Sequence, residues 1–287
     1  MKNFNKQSVN NSNEKQQVYN FWNEACCGED LYLTGADSKG FEIQSQRRYE
    51  LEPFILDFAR FDEFKRKKVL EIGVGLGADH QKFVEAGADL YGIDLTDRAV
   101  AHTRNRLNCF NLKSTLNVGD AEQLAFTDET FDLVYSWGVL HHSPETPKAI
   151  AEVWRVLKWG GRAKIMIYNK WSVVGLMLWV RYALLHLRPF TSLKEIYAVH
   201  LESTGTKAYS LDEAKHLFKA FSEVSIHTVL THGDLLESDA GQRHGGILLS
   251  IARKVWPRWL IRRFFSNAGL FMLIEVKKYL WKMTSCN

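Results

Sequence analysis

Short apolar runs and longer amphipathic stretches alternate through the middle of the chain. Residues 68–72, 89–93, 114–118, 131–136 and 162–167 are brief, rich in aliphatic and aromatic side chains, and read as strands. Between several of them, residues 78–86, 97–110 and 145–157 carry apolar side chains at helical spacing. That alternation predicts parallel strands joined by crossover helices, hence an α/β, doubly wound, Rossmann-like sheet. Upstream, residues 16–25 and 41–61 read as helices, the second with Tyr49, Leu51, Phe54, Ile55 and Phe58 on its apolar positions. Downstream, "SLDE" at Ser210 to Glu213 is a capping box that starts a helix. A sixth strand follows near 221–230, and "LFMLIEVKK" from Leu270 predicts a seventh.

Two stretches interrupt the alternation. The first, about 170–209, opens with "WSVVGLMLWVRYALLHL", apolar nearly all round, as in a helix buried by its neighbours or lodged in lipid. With Arg181 and His186 inside it, it is short for a membrane span of about 20 residues, and a cap over a substrate is the better reading. The second, about 232–269, contains "GGILLSIARKVWPRWLIRRFF", where tryptophans and phenylalanines interleave with arginines. A packed cap or subunit face accounts for it, and so does a basic helix lying in a membrane interface, a peripheral contact through 247–265. The domain plan is therefore a polar, disordered leader (1–17), a helical lid (18–65), and one α/β domain (66–287) carrying both insertions.

Composition narrows the class only a little. The 287 residues are 46% hydrophobic and 24% charged, ordinary for a globular protein with a large core. A formal net charge of +4 gives no reason to expect nucleic acid as a partner. The four cysteines have neither metal-ligand spacing nor a disulfide framework, so no metal is expected. The N-terminus lacks the apolar core of a signal peptide, which suggests a cytoplasmic protein, membrane-associated if the second insertion binds lipid. Oligomeric state is not legible.

The chemistry is concentrated in "VLEIGVGLGADH", Val69 to His80. Gly73, Gly75 and Gly77 allow a tight turn and remove Cβ atoms at the carboxyl end of strand one, where ligands bind in such sheets. The loop satisfies a dinucleotide fingerprint as well as a nucleoside one, so a nicotinamide dinucleotide and S-adenosylmethionine both remain open. Asp94, ending strand two in "LYGIDLTD", offers a carboxylate to ribose hydroxyls and serves either ligand. Asp120, in "VGDAEQLAF" just after strand three, faces an adenine amino group in a nucleoside lying across three strand ends. A dehydrogenase has no special need of it.

Taken with "FDLVYSWGVLHHSP" and "AEVWRVLKWGGRAKIMIY", these motifs resemble the class I S-adenosylmethionine-dependent methyltransferases, in the subgroup that includes quinone-biosynthesis and many small-molecule enzymes. The resemblance covers about 66–169 strongly and reaches about 230 more weakly. It implies a seven-stranded sheet and S-adenosyl-L-methionine as cofactor. By this likeness Glu71, Gly73, Gly75 and Gly77 line the methionine side, Asp94 with Leu95 holds the ribose, Asp120 and Ala121 face the adenine, and Ser136 and Trp137 flank the sulfonium.

His141 and His142 follow strand four, where the family places methyl transfer, and are the nearest candidates for a catalytic base, a buried structural pair being the alternative. Tyr19, Arg48, Tyr168, Lys207 and Tyr209 are candidate contacts to the acceptor, with His200 and Glu202 nearby. The expected reaction is methylation of a small-molecule or lipid-like acceptor, with oxygen the favoured atom. The alternatives are C-methylation of an isoprenoid or quinone-like ring, and a protein that binds the nucleoside without chemistry.

Overall fold

The computed structural model describes residues 2–237 and 253–279, with side chains from residue 11 onward. The helices before the sheet are α1 (Lys2–Glu24), α2 (Glu29–Tyr32), α3 (Ser38–Leu51) and α4 (Phe54–Ala59). The alternating core runs β1 (Lys68–Ile72), α5 (Ala78–Glu85), β2 (Asp89–Asp94), α6 (Asp97–Cys109), β3 (Thr115–Val118), β4 (Phe131–Trp137), α7 (Thr146–Val156) and β5 (Leu157–Tyr168). Then follow α8 (Val173–Tyr182), α9 (Leu193–His200), α10 (Leu211–Leu217), β6 (Glu223–Val229), α11 (Arg258–Phe264) and β7 (Phe271–Lys277).

The strands form one seven-stranded sheet in the order β3-β2-β1-β4-β5-β7-β6. β7 is antiparallel to both its neighbours, and the other pairings are parallel. Strand order reverses between β1 and β4, which opens a crevice beyond their carboxyl ends. Helices cover both faces, so β1 and β4 are apolar without alternation: Val69, Leu70, Leu133 and Val134 are all fully buried. α7 shows the complementary pattern, burying Ala149, Ile150, Val153 and Val156 along one stripe. Ser210 and Glu213 form the predicted reciprocal cap at the start of α10.

Three local expectations are corrected. The leader is helical: α1 runs from Lys2, and it docks because Lys15 Nζ reaches the carboxylates of Asp120 (2.6 Å) and Glu122 (2.7 Å) while Val18 is buried. The helix expected over 41–61 is two helices, because Pro53 has no amide hydrogen to donate and restricts Glu52 before it. Buried Arg106 on α6 then ties α3 to the domain, donating to the Phe41 carbonyl (3.0 Å), Ser45 Oγ (2.7 Å) and the Gln44 side chain.

The first insertion is not buried all round. α8 buries Val173, Gly175 and Leu178, and Gly175 is needed there because a Cβ would lie 2.1 Å from the Tyr197 hydroxyl of α9. Leu176, one residue on, is 59% exposed. The second insertion packs on the first through Ile261 of α11, Leu235 and Val173. Residues 238–252 lie outside the described part, and with them the beginning of the 247–265 segment. Among the described residues, no helix is long and apolar enough to cross a membrane.

Candidate functional site

A cavity of about 840 Å³ opens beyond the carboxyl ends of β1, β2, β3 and β4. Glu71 and the loop from Gly73 to Gly77 form its floor, Asp94, Leu95 and Thr96 one wall, and Asp120 and Ala121 the next. The glycine loop is bare for distinct reasons. Gly73, Gly75 and Gly77 all have φ between +51° and +86°, where a side chain is strained. A Cβ on Gly75 would meet nothing within 4 Å, because it would project into the open cavity.

Asp94 holds this loop to β2. One carboxylate oxygen accepts from the Gly75 amide (3.2 Å), and the other accepts from the Thr96 amide (3.0 Å) and hydroxyl (2.9 Å). Asp120 is engaged by Lys15 and by the Glu122 amide (2.9 Å), so it closes a turn as well as facing the cavity. Glu71 bonds His80 at 2.7 Å, and His80 bonds Ser114 at 2.7 Å. Burial pushes Glu71 well above the usual carboxylate range and His80 down to about 3, so the imidazole is uncharged.

Beyond the loop, the cavity widens between the N-terminal helices and the first insertion. Asp79 is buried at its base and accepts from Arg48 at 3.1 and 2.7 Å, from Tyr49 at 3.0 Å and from Tyr135 at 2.8 Å. Burial would raise its pKa, yet Arg48 and the hydroxyls outweigh that and hold it below the usual range. Arg48 therefore lines the cavity with its guanidinium already committed. Trp137 stacks on Phe54 at 6.0 Å and also lines the wall.

Glu52 is the group that sequence reasoning passed over. Its Oε2 has no aligned hydrogen-bond partner and lies 3.6 Å from Arg48, and burial pushes its pKa up to about 7. Only its position before Pro53 marked it, and that reads as a helix end. Because the folded pKa is raised from 4.5, the folded state binds the proton more tightly than the unfolded one. Stability is therefore greatest below pH 4.5 and falls as pH rises toward about 7, by about 3 kcal/mol for this group. Glu52→Gln is expected to match the parent in chemical denaturation at pH 4.5 and to exceed it by about 2–3 kcal/mol at pH 8. Equal stability at both pH values would remove the buried charge from the account.

The acceptor candidates separate. Tyr168 lines the cavity and donates to Glu202 Oε2 at 2.7 Å. Glu202 also lies 3.2 Å from His142 Nε2, while His142 Nδ1 meets the hydroxyls of Ser203 (2.9 Å) and Thr206 (3.1 Å). His141 is fully buried, does not line the cavity, and has its pKa driven far down by burial. It packs 4.0 Å from the Tyr168 ring and supports that side chain.

Four further candidates fall outside the cavity. Ser136 is buried on the opposite side of β4 and donates to the Ile72 carbonyl (3.0 Å), tying β4 to β1. Tyr19 is turned outward and donates to Asp97 (2.9 Å). Lys207 donates to the Ser143 carbonyl (2.8 Å), and Tyr209 packs against the core beneath α7 and α10. The candidate Glu202 does face the open space, as do Trp22 and Glu52.

Residues 70–165 match the family model described as "Methyltransferase domain". Over 114 residues the chain is 33% identical to phosphoethanolamine N-methyltransferase 2 of Caenorhabditis elegans, covering 39% of this chain and 26% of that protein. Over 143 residues it is 31% identical to a sterol 24-C-methyltransferase of Schizosaccharomyces pombe, covering 46% and 37%. The chain thus spans only about a quarter to two-fifths of the length of these relatives. A structure of Haemonchus contortus phosphoethanolamine N-methyltransferase 2 with phosphomonomethylethanolamine and S-adenosylhomocysteine superposes with a TM-score of 0.54 at 17% identity. That superposition covers 88% of this chain and 59% of the other, a likeness of fold.

Proposed function

We propose, on the premise that this chain carries a class I S-adenosylmethionine-dependent methyltransferase domain, that it transfers a methyl group to a small-molecule or lipid-like acceptor held beneath the two insertions. One observation carries this reading. The bare glycine loop and Asp94 share a continuous cavity with an aromatic chamber that ends at Glu202, Tyr168 and His142.

The residues present fit the cofactor. Gly75 leaves open the space a Cβ would fill, Asp94 offers its carboxylate to ribose hydroxyls, and Leu95 and Ala121 give an apolar slot for a base. An adenine amino group reaching Asp120 shares its carboxylate with Lys15. Glu71, neutral when the cavity holds no cation, ionises more readily once a positive group sits beside it. When bound, S-adenosylmethionine supplies an activated methyl on a positive sulfonium, so alignment and exclusion of water do most of the work. Trp137 and Trp22 provide aromatic faces toward that charge and shield it from solvent.

Oxygen is the target we favour, and a hydroxyl that reaches the end of the chamber near Tyr168 would find the Glu202 side chain there to take its proton. Glu202, bonded to Tyr168 and next to His142, accepts that proton in the proposed reaction. Glu202→Gln is expected to lower kcat by about 100-fold and leave S-adenosylhomocysteine affinity within about twofold, as befits a proton acceptor. Unchanged kcat would remove Glu202 as the proton acceptor and leave alignment alone to explain turnover.

The overall reading is tested by incubating the protein with methyl-labelled S-adenosylmethionine and an extract of the cells that make it, with Asp94→Ala as blank. Label in the organic phase supports a lipid-like acceptor, and label in a water-soluble product a polar one. No transfer in either phase, with S-adenosylhomocysteine still bound, leaves a nucleoside-binding protein. Calorimetric binding of NAD in preference to S-adenosylhomocysteine would overturn the premise.

A further inference from the structure

The two insertions expose apolar side chains to an extent that single surface leucines do not explain. Phe190 is 99% exposed, Leu187 90% and Leu185 67% on the first insertion, while Trp259 is 74% and Phe264 65% exposed on the second. Leu187 sits in the left-handed region at φ +57°, a conformation that a bulky side chain rarely holds and that here presents it to solvent. The two groups belong to one structural unit, because α8 and α11 pack together through Val173 and Ile261.

Charge and the cavity share this region. Between Trp171 and Lys194, and again between Arg253 and Phe265, the chain carries eight basic residues and no acidic one; among the eight, Arg262 pairs with Glu237 and Arg258 donates to the Leu235, Leu236 and Arg253 carbonyls. The whole protein is only +4, so the remainder is net acidic. Leu176 and Leu185, both more than half exposed, also line the cavity, and so does Arg181 between them. The exposed apolar and basic first insertion therefore also forms part of the cavity wall.

We propose that this face docks on an anionic phospholipid bilayer and that the acceptor enters from that bilayer between Leu176 and Leu185. Interleaved aromatic and basic side chains are what such an interface selects: apolar groups enter the acyl boundary while arginines meet the phosphates. A neutral membrane would not use the charge, and a soluble acceptor would not need the exposed leucines. Entry of the acceptor rests on the methyltransferase reading. Docking of the face does not.

The test uses the full chain with sedimented vesicles of phosphatidylcholine alone or mixed with phosphatidylglycerol. Binding is expected to the anionic vesicles, at least 10-fold weaker to the neutral ones, and weakened by high salt. The double variant Leu187→Asp/Phe190→Asp alters side chains that pack on little else, and is expected to lose binding at least 10-fold. Its S-adenosylhomocysteine affinity, measured by calorimetry, is expected to match the parent. Absence of binding to anionic vesicles, or equal binding by the double variant, would overturn docking. So would light scattering that shows a dimer dissociating in that variant, which would assign the face to a second copy of the chain. Loss of S-adenosylhomocysteine binding by the parent protein itself would instead remove the methyltransferase reading and leave docking standing.

Discussion

Asp94→Ala is expected to weaken S-adenosylhomocysteine binding by about 100-fold in a protein that still folds. The carboxylate has two duties, and alanine removes both. It faces the cavity, where in the proposed complex ribose hydroxyls donate to it, and it fixes the glycine loop through the Gly75 amide. Hydrogen bonds to a charged group contribute about 1.5–3 kcal/mol each, so losing the ribose contacts and slackening the loop costs about 3 kcal/mol, or about 100-fold. The fold should survive because Thr96 still caps α6, accepting from the Ala99 amide. Asp94→Asn separates the duties, since it keeps the shape and one acceptor but no charge, and an intermediate loss is expected. Affinity within threefold of the parent, by calorimetry on a variant with parental circular dichroism, would remove Asp94 from the ribose site.

The inner strands β1 and β4 were legible because each is a short run that burial on both faces explains, whereas the edge strands β3 and β6 are largely exposed and were placed by their spacing within the alternation. Residues 68–72 form β1 over the same positions, and the capping box at Ser210 starts α10 where local chemistry says it should. The glycine loop was legible for the same reason: three positive φ angles after an apolar strand leave few residues but glycine. What failed was long-range. Nothing near Lys15 in the chain announces that Asp120 and Glu122, more than 100 residues on, will anchor it, so a polar segment read as disordered.

Side-chain direction was the other gap. Ser136 and Trp137 are adjacent in a motif, yet they leave β4 on opposite sides, and only Trp137 reaches the cavity. The histidine pair stays together, its rings 4.2 Å apart, yet only His142 lines the cavity and meets Glu202 while His141 packs under the Tyr168 ring. Glu52 comes from a helix end, which has no periodicity to place it, and Glu202 is one of several polar candidates in an insertion with nothing in the sequence to single it out. A spacing rule finds the cofactor loop because the loop is local. The acceptor chamber is assembled from three distant segments, and its residues are recognisable only once packed.

The glycine loop offers the sharpest separation of fold from function, through Gly73→Ala and Gly75→Ala. Both positions have positive φ, so alanine costs about 1–2 kcal/mol at each through backbone strain alone. At Gly73 the new Cβ would lie 2.0 Å from Val139 Cγ2, a β-branched side chain with little freedom to move. The loop or the strand-four turn must shift, and a further few kcal/mol is expected, lowering the Tm by about 10 °C. At Gly75 the Cβ meets nothing, so stability should fall only by the backbone term, about 3–4 °C. The methyl group instead enters the volume assigned to the cofactor, and S-adenosylhomocysteine affinity is expected to drop at least 10-fold. In the proposed complex a bare backbone is thus demanded by Val139 at one glycine and by the cofactor at the other. If Gly75→Ala binds as tightly as the parent, the open space beside that glycine is not where the nucleoside lies, and the bareness of the whole loop reduces to the geometry of its turn.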